Sequence, residues 1–254
     1  MTQWLVANGA EVLLTDLDSA EKLADPVAQL DPHIRSGAVT LRLGEHNISD
    51  FTTRDLVIAN PAVPKPWENR YLRAAAAANI PVTTEIGLLV DRLPNRERII
   101  GITGSAGKST TTTLIHHMLA ANGRAAVAGG NLGGSLLAKL PGPGGDGSIT
   151  PDTWIVLEVS SAMLHWLGDS FGNGLGGWSP HIAVATNLSP NHIDWHGDFD
   201  HYRASKQRIV ASQRPGDVAI LGPGLDDWPV PEGVSLQRIP ADAAVSDLRI
   251  PGRH

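Results

Sequence analysis

The alternation of short apolar, β-branched runs with helix-length stretches constrains this chain more than any other feature. EVLLTD (11–16), DLVIAN (55–60), IPVTTE (80–85), RIIGIT (98–103), AAVAGG (125–130), TWIVLEV (153–159), HIAVATN (181–187) and DVAIL (217–221) read as strands. Runs apolar throughout, rather than at every second position, require cover on both faces, the environment of a parallel sheet between helices. RYLRAAAAANI (70–80) and STTTTLIHHMLAANG (109–123) supply crossover helices, the second ending on Asn122 and Gly123. The expected fold is α/β with a mainly parallel sheet. No repeat of about 20 to 50 residues is visible, so solenoids and propellers are not supported.

A length of 254 residues suits one or two domains. The polar DRLPNRER (91–98), with Pro94, precedes a new apolar run and sets a boundary between residues 1–94 and 95–254. The first unit reads as a Rossmann-like domain met part-way through. Such domains open with a strand and glycine-rich turn, with an acidic residue about 20 positions later at the next strand end. Asp16 already occupies such an end, so TQWLVANGA is expected to be the tail of the first crossover helix. LPGPGGDGSITPD (140–152) and GDSFGNGLGGWSP (168–180) read as surface loops.

Composition excludes several function classes. With no cysteine there is no disulfide, thiolate metal site or cysteine nucleophile. The net charge of -6 and the lack of a basic stripe argue against a nucleic-acid binder. No apolar stretch approaches the roughly 18 to 20 residues of a membrane span, and MTQWLVANGAEVLL lacks a basic start and an unbroken apolar core. A cytoplasmic monomer is expected.

GITGSAGKSTTT (101–112) follows a strand and opens a helix, the setting of a phosphate-binding loop. Gly104 and Gly107 permit positive φ, which turns backbone N–H groups inward toward a phosphate. Lys108 adds a point charge, the helix N-terminus about half a charge, and Ser109 a hydroxyl for magnesium. The strict pattern G-x-x-x-x-G-K-[ST] would need glycine at Ile102, so the loop is a variant.

That variant resembles the nucleotide loop of the Mur ligase family, ATP-dependent ligases of the peptidoglycan stem peptide, and of the related folylpolyglutamate synthases. The resemblance implies a P-loop central domain over 95–254, without the family's C-terminal amino-acid-binding domain. It implies ATP bound by Gly104, Ser105, Ala106, Gly107, Lys108, Ser109 and Thr110. Glu158 closes a buried strand at the ligand edge of the sheet, where a carboxylate suits magnesium; a capping or ion-paired glutamate is the lesser alternative from the pattern alone. EVSSAML (158–164) resembles the family's ELSSFQL, whose Glu holds magnesium.

TNLSPNHIDWHGDFDHYRASKQRI (186–209) resembles the family's N-x-x-x-D-H-L-D-x-H-G…Y-x-x-A-K segment. By resemblance His192 is a ligand of a second Mg2+ and Lys206 is carried as a carbamate, so that Ser109, Glu158, His192 and Lys206 form the metal set and Lys108, His192 and Lys206 the catalytic set. Alone, Lys206 reads as a solvated surface lysine. Asn191 replaces the usual Asp and Ser205 the usual Ala; Asp194 is expected to support His192, while His196 and Tyr202 match without an assigned role.

GGNLGG (129–134) resembles the family's GNIG turn, placing Asn131 at the substrate pocket; by itself it is a glycine turn with a left-handed Asn. Asp16 and Leu17 match the uracil-holding strand end, and Asn60-Pro61-Ala62 replaces a Ser-Pro-Gly turn near the diphosphate. IANPAVP (58–64) followed by RYLRAAAAANIPVTTEIGLL (70–89), with EVSS (158–161) and HIDWHG (192–197), resembles the branch of the family that joins D-glutamate to UDP-N-acetylmuramoyl-L-alanine. Another Mur ligase, a folylpolyglutamate synthase-like enzyme, and a nucleotide-binding fragment without activity are the alternatives.

Overall fold

The computed structural model describes residues 1–168 and 177–241. Residues 169–176 of the second expected loop and the closing IPGRH lie outside the described residues.

The first stretch contains α1 (Thr2–Ala7), β1 (Val12–Asp16), α2 (Ala24–Ala28), α3 (Asp31–Arg35), β2 (Val39–Leu43), α4 (Ser49–Thr52), β3 (Val57–Ala59), α5 (Arg70–Ala77), β4 (Val82–Thr84) and α6 (Glu85–Val90). Two small parallel sheets result, β1 with β2 and β3 with β4. Side-chain caps fix the helix starts: Asn69 accepts from the N–H groups of Tyr71 and Leu72 at α5, and Thr84 from Gly87 at α6.

The remainder contains β5 (Ile99–Thr103), α7 (Lys108–Ala121), β6 (Ala126–Gly130), β7 (Trp154–Glu158), α8 (Ser161–Trp166), β8 (Ile182–Ala185), α9 (Ile193–His196), α10 (Phe199–Ala211), β9 (Val218–Leu221) and β10 (Ser235–Arg238). Its six strands are parallel in the order β10-β9-β8-β5-β7-β6. β5 is buried along its length and β7 from Ile155 to Glu158, as apolar central strands require. The chain leaves β5 toward one side of the sheet and β7 toward the other, opening a crevice at their carboxyl ends, where open α/β sheets take ligands.

The α/β class with a mainly parallel sheet is thus observed. β2 and β10 were not legible as strands: VTLRL mixes polar and apolar residues, and every residue of β10 is exposed at the sheet edge. Stretch 140–152 is irregular, as expected, yet buries Ile149 in the main core. Among the described residues no helix is long and apolar enough to cross a membrane.

Candidate functional site

The glycine loop forms where β5 ends. Thr103 is fully buried and donates its hydroxyl to the Val159 carbonyl at 2.8 Å, tying β5 to the chain leaving β7. Gly104 then turns with φ 148° and Gly107 with φ 80°, and α7 begins at Lys108. A Cβ on Gly104 would stand 1.9 Å from Thr186 Oγ1, whereas one on Gly107 would meet open space. Contact and conformation both require the first glycine; conformation alone requires the second.

The segment after β8 braces this loop. Asn187 accepts from Ser105 N–H through its carbonyl (3.1 Å) and from Ala106 N–H through Oδ1 (3.0 Å). The Ala106 carbonyl accepts from Thr186 Oγ1 at 2.6 Å and Asn187 Nδ2 at 3.2 Å. Two of the N–H groups expected to face a phosphate are therefore already engaged, and the donors left at the loop mouth are those of Gly107 and of the first turn of α7, Lys108 to Thr110, where no intrahelical carbonyl is within reach. Ser109 and Thr110 are exposed there.

Two lysines converge on one carbonyl. Lys108 Nζ donates to Gly104 O at 3.0 Å and Lys206 Nζ to the same oxygen at 2.9 Å, with Thr103 Oγ1 at 3.3 Å from Lys206. Lys206 is 1% exposed, so the solvated surface reading is corrected: α10 turns it inward beside Tyr202, Ile209 and Val210. Burial lowers its pKa to about 7, with Lys108 adding to the shift and Glu158 opposing it.

Glu158 is 2% exposed and ends β7 next to this pair. Its Oε1 accepts from Asn131 Nδ2 at 2.8 Å, while Oε2 is buried without a hydrogen-bond partner among the described residues. It caps no helix. The Asn131 turn presses on it: a Cβ on Gly130 would lie 2.3 Å from the Glu158 carbonyl oxygen. The left-handed positions of that turn are Gly130, Gly133 and Gly134, which corrects the left-handed reading of Asn131.

His192 is the non-glycine residue of left-handed φ (53°) that opens α9, its N–H accepted by Asn191 Oδ1 at 2.9 Å. His192 and Asp194 are exposed, but His196 is 2% exposed; its Nε2 meets Ser161 Oγ at 2.9 Å and its Nδ1 meets His201 Nδ1 at 2.8 Å. Burial, then His201 and further cations, lowers the His196 pKa to about 4.

A cavity of about 410 Å³ gathers Lys108, Asn131, Ser161, His192, Asp194, His196 and Lys206, walled opposite by Asn60, Pro61 and Ala62. Glu158 reaches it through Asn131. A second cavity of about 370 Å³ holds Asp16 and Leu17, with His46, Phe51 and Tyr71. Asn60 and Ala62 line both. Of the expected site residues, Lys108, Asn131, His192 and Lys206 line the first cavity, Asp16 and Leu17 the second and Asn60 both, whereas Gly104, Ser105, Ala106, Gly107, Ser109, Thr110 and Glu158 line neither.

Sequence reasoning passed over Asn187 and gave Tyr202 no role. Tyr202 is fully buried, its hydroxyl 2.8 Å from Ser105 Oγ, bracing the glycine loop from α10. The polar TNLSPN directly after a buried strand was the available signal for Asn187, and the match to Y-x-x-A-K marked Tyr202 without indicating its bond to Ser105. Among the described residues no three His, Asp or Glu side chains lie close enough to share an ion.

A profile of the Mur ligase middle domain matches residues 102–228. Curated relatives named UDP-N-acetylmuramoylalanine--D-glutamate ligase include that of Symbiobacterium thermophilum, 38% identical over 87% of this chain and 44% of the relative. That of Roseiflexus sp. is 37% identical over 87% and 43%. The chain thus spans somewhat under half the length of these relatives. The solved UDP-N-acetylmuramate:L-alanyl-gamma-D-glutamyl-meso-diaminopimelate ligase from Neisseria meningitides aligns with TM-score 0.53 at 15% identity, covering 94% of this chain and 74% of its own. A murein peptide ligase from Psychrobacter arcticus aligns at 0.50 and 16%, covering 93% and 50%. At such identities the likeness is one of fold.

Proposed function

The chain belongs to the Mur ligase family, and from that premise we propose that it binds the nucleotide and nucleotide-sugar substrates of a cytoplasmic ligase joining D-glutamate to UDP-N-acetylmuramoyl-L-alanine. Residues 1–94 serve as the nucleotide-sugar unit and 95–254 as the ATP unit. In this reading the first-turn amides of α7, with Gly104 and Gly107 shaping the loop, hold the ATP phosphates, and Lys108 swings from the Gly104 carbonyl to the transferring phosphoryl group. Asp16, Leu17 and Asn60 take the uridine diphosphate end, and Asn131 faces the amino-acyl end.

The reaction is amide formation in two steps. A carboxylate oxygen of the substrate attacks the γ-phosphorus and the bond to the ADP oxygen breaks, giving an acyl phosphate. The amine of D-glutamate then attacks the acyl carbon, loses a proton, and phosphate leaves. Positioning and fixed charge supply most of the catalysis in such transfers.

The donor set fits Mg2+. Glu158 Oε2 is a hard, buried oxygen with no other hydrogen-bond partner among the described residues, and a lysine with pKa about 7 is substantially neutral, the form that adds CO2 to give a carbamate anion and a proton. Ser109 and Glu158 would hold one ion, His192 and carbamylated Lys206 the other; bound there, the ions neutralise phosphate charge. The observation that carries this reading is Lys206, a buried amine 2.9 Å from the loop carbonyl of Gly104.

Thermal unfolding tests the reading, since a ligand that binds only the folded chain raises its midpoint. UDP-N-acetylmuramoyl-L-alanine and Mg·ATP should each raise it, and folate should not. A rise with folate but none with the UDP-sugar would assign the chain to folate-type ligation instead.

A further inference from the structure

The two cavities share a wall, and that wall is part of a stiff strap. Residues 60–69, Asn-Pro-Ala-Val-Pro-Lys-Pro-Trp-Glu-Asn, begin at Asn60 and Ala62, which line both cavities, and end at Asn69, which lines the second and caps α5. Pro61, Pro64 and Pro66 each fix φ near about −65°, so the strap has few torsions with which to absorb a displacement. It is pinned midway. Lys65, at the left-handed φ of 43°, donates its N–H to the Trp195 carbonyl at 3.1 Å, and the Trp67 ring lies 4.3 Å from that of His201, 5.4 Å from His165 and 6.0 Å from Trp195. The exchange is reciprocal: Trp166, 1% exposed at the end of α8, packs into the first unit's core with Val57, Leu72 and Val82.

We propose that Trp67 is a positioning residue that couples the two cavities: seated on Trp195 and His201, it holds the 60–69 strap so that ligand binding in the second cavity sets the wall of the cavity beside Lys108. The seat lies on α9 and α10, the helices that carry His196 and Lys206, so both ends of the strap's reach are in contact with site residues. A contiguous, packed connection of this kind can carry a coupling free energy between sites. The inference rests on the two cavities taking a nucleotide sugar and ATP.

Calorimetry on the 254-residue chain tests it. Affinity for Mg·AMP-PNP is measured with and without saturating UDP-N-acetylmuramoyl-L-alanine, in the parent, Trp67→Phe, Trp67→Leu and Trp67→Ala. The parent should bind AMP-PNP about 5-fold or more tightly with the sugar nucleotide present, the lower end of ordinary coupling. Trp67→Phe should keep most of that factor, while Trp67→Leu and Trp67→Ala should reduce it below about twofold and leave affinity for AMP-PNP alone within about twofold of the parent. Loss of coupling with unchanged AMP-PNP affinity is something general destabilisation would not produce. Full coupling in Trp67→Leu or Trp67→Ala, whichever folds with a parent-like circular dichroism spectrum, would overturn the inference, as would binding of both ligands to the parent with no coupling. Failure of either ligand to bind the parent would overturn the functional reading first and this inference with it.

Discussion

Lys206 is the residue whose meaning changes most between sequence and structure. Its charge predicts solvent exposure, but Tyr202, Ser205, Ile209 and Val210 mark the buried stripe of α10, and Lys206 falls on it. That helical spacing was legible; the convergence of Lys206 and Lys108 on the Gly104 carbonyl, a contact spanning 102 positions, was not. Because the neutral amine is the reactive form and the pKa is lowered to about 7, carbamylation should rise through pH 7 instead of near the ordinary 10.5. With 13C-bicarbonate, a protein carbamate resonance should appear by NMR in the parent and vanish in Lys206→Ala; its persistence in the variant would place the carbamate elsewhere. The loop glycines were legible from their motif, and the structure separates them. Gly107→Ala should cost about 1 to 2 kcal/mol, the strain of a left-handed alanine. Gly104→Ala carries the clash with Thr186 as well and should lower both the urea midpoint and the affinity for AMP-PNP more severely.

At the scale of elements, strands buried on both faces announced themselves, because an unbroken apolar run has few other uses. The edge strand β10 did not, although β6 at the other edge was legible from AAVAGG: β10 meets solvent along its length and is held by its backbone pairing to β9, which leaves no mark on side-chain choice. The polar run 186–191 could be picked out, but not its pairing with the glycine loop, nor that of α10, since each contact joins segments about 80 or more positions apart. The start of α10 is local and readable: Asp198 accepts from His201 N–H at 2.7 Å. Asp198→Ala should cost about 1 kcal/mol by urea denaturation, and because α10 carries Lys206 and Tyr202, it should weaken nucleotide binding more than a cap of equal strength on α5, such as Asn69→Ala tested against the same AMP-PNP.

Across the whole molecule, the strap of residues 60–69 meets the α8–α10 region through a cluster of imidazoles and indoles, Trp67 with His165, Trp195 and His201. His165 and His196 are buried neutral, with pKa values lowered from 6.5 to about 3 and about 4, burial being the largest cause of each. The sign follows from linkage. The unfolded chain binds more protons than the folded one between these values and 6.5, so stability is fully present above pH 6.5 and is lost as pH falls toward 4 and then 3. Each imidazole contributes at most about 1.4 kcal/mol per pH unit in that window. Urea midpoints should therefore fall steeply from pH 6.5 to 4.5, and His165→Phe, which keeps an apolar ring without the titration, should flatten the slope. An unchanged slope would deny the imidazole cluster this part in acid sensitivity.

The central claim is that the first turn of α7 holds the phosphates of one nucleotide, with Glu158 and Lys206 placed to meet them through metal ions. A crystal structure of the chain with Mg·AMP-PNP tests it most directly. The β- and γ-phosphates should lie on the N–H groups of Lys108 to Thr110, with Lys108 Nζ moved from the Gly104 carbonyl onto the γ-phosphate and a metal ion between Ser109 and Glu158. A nucleotide bound elsewhere, or bound here with Lys108 still on its own loop and Glu158 without a metal, would contradict the account.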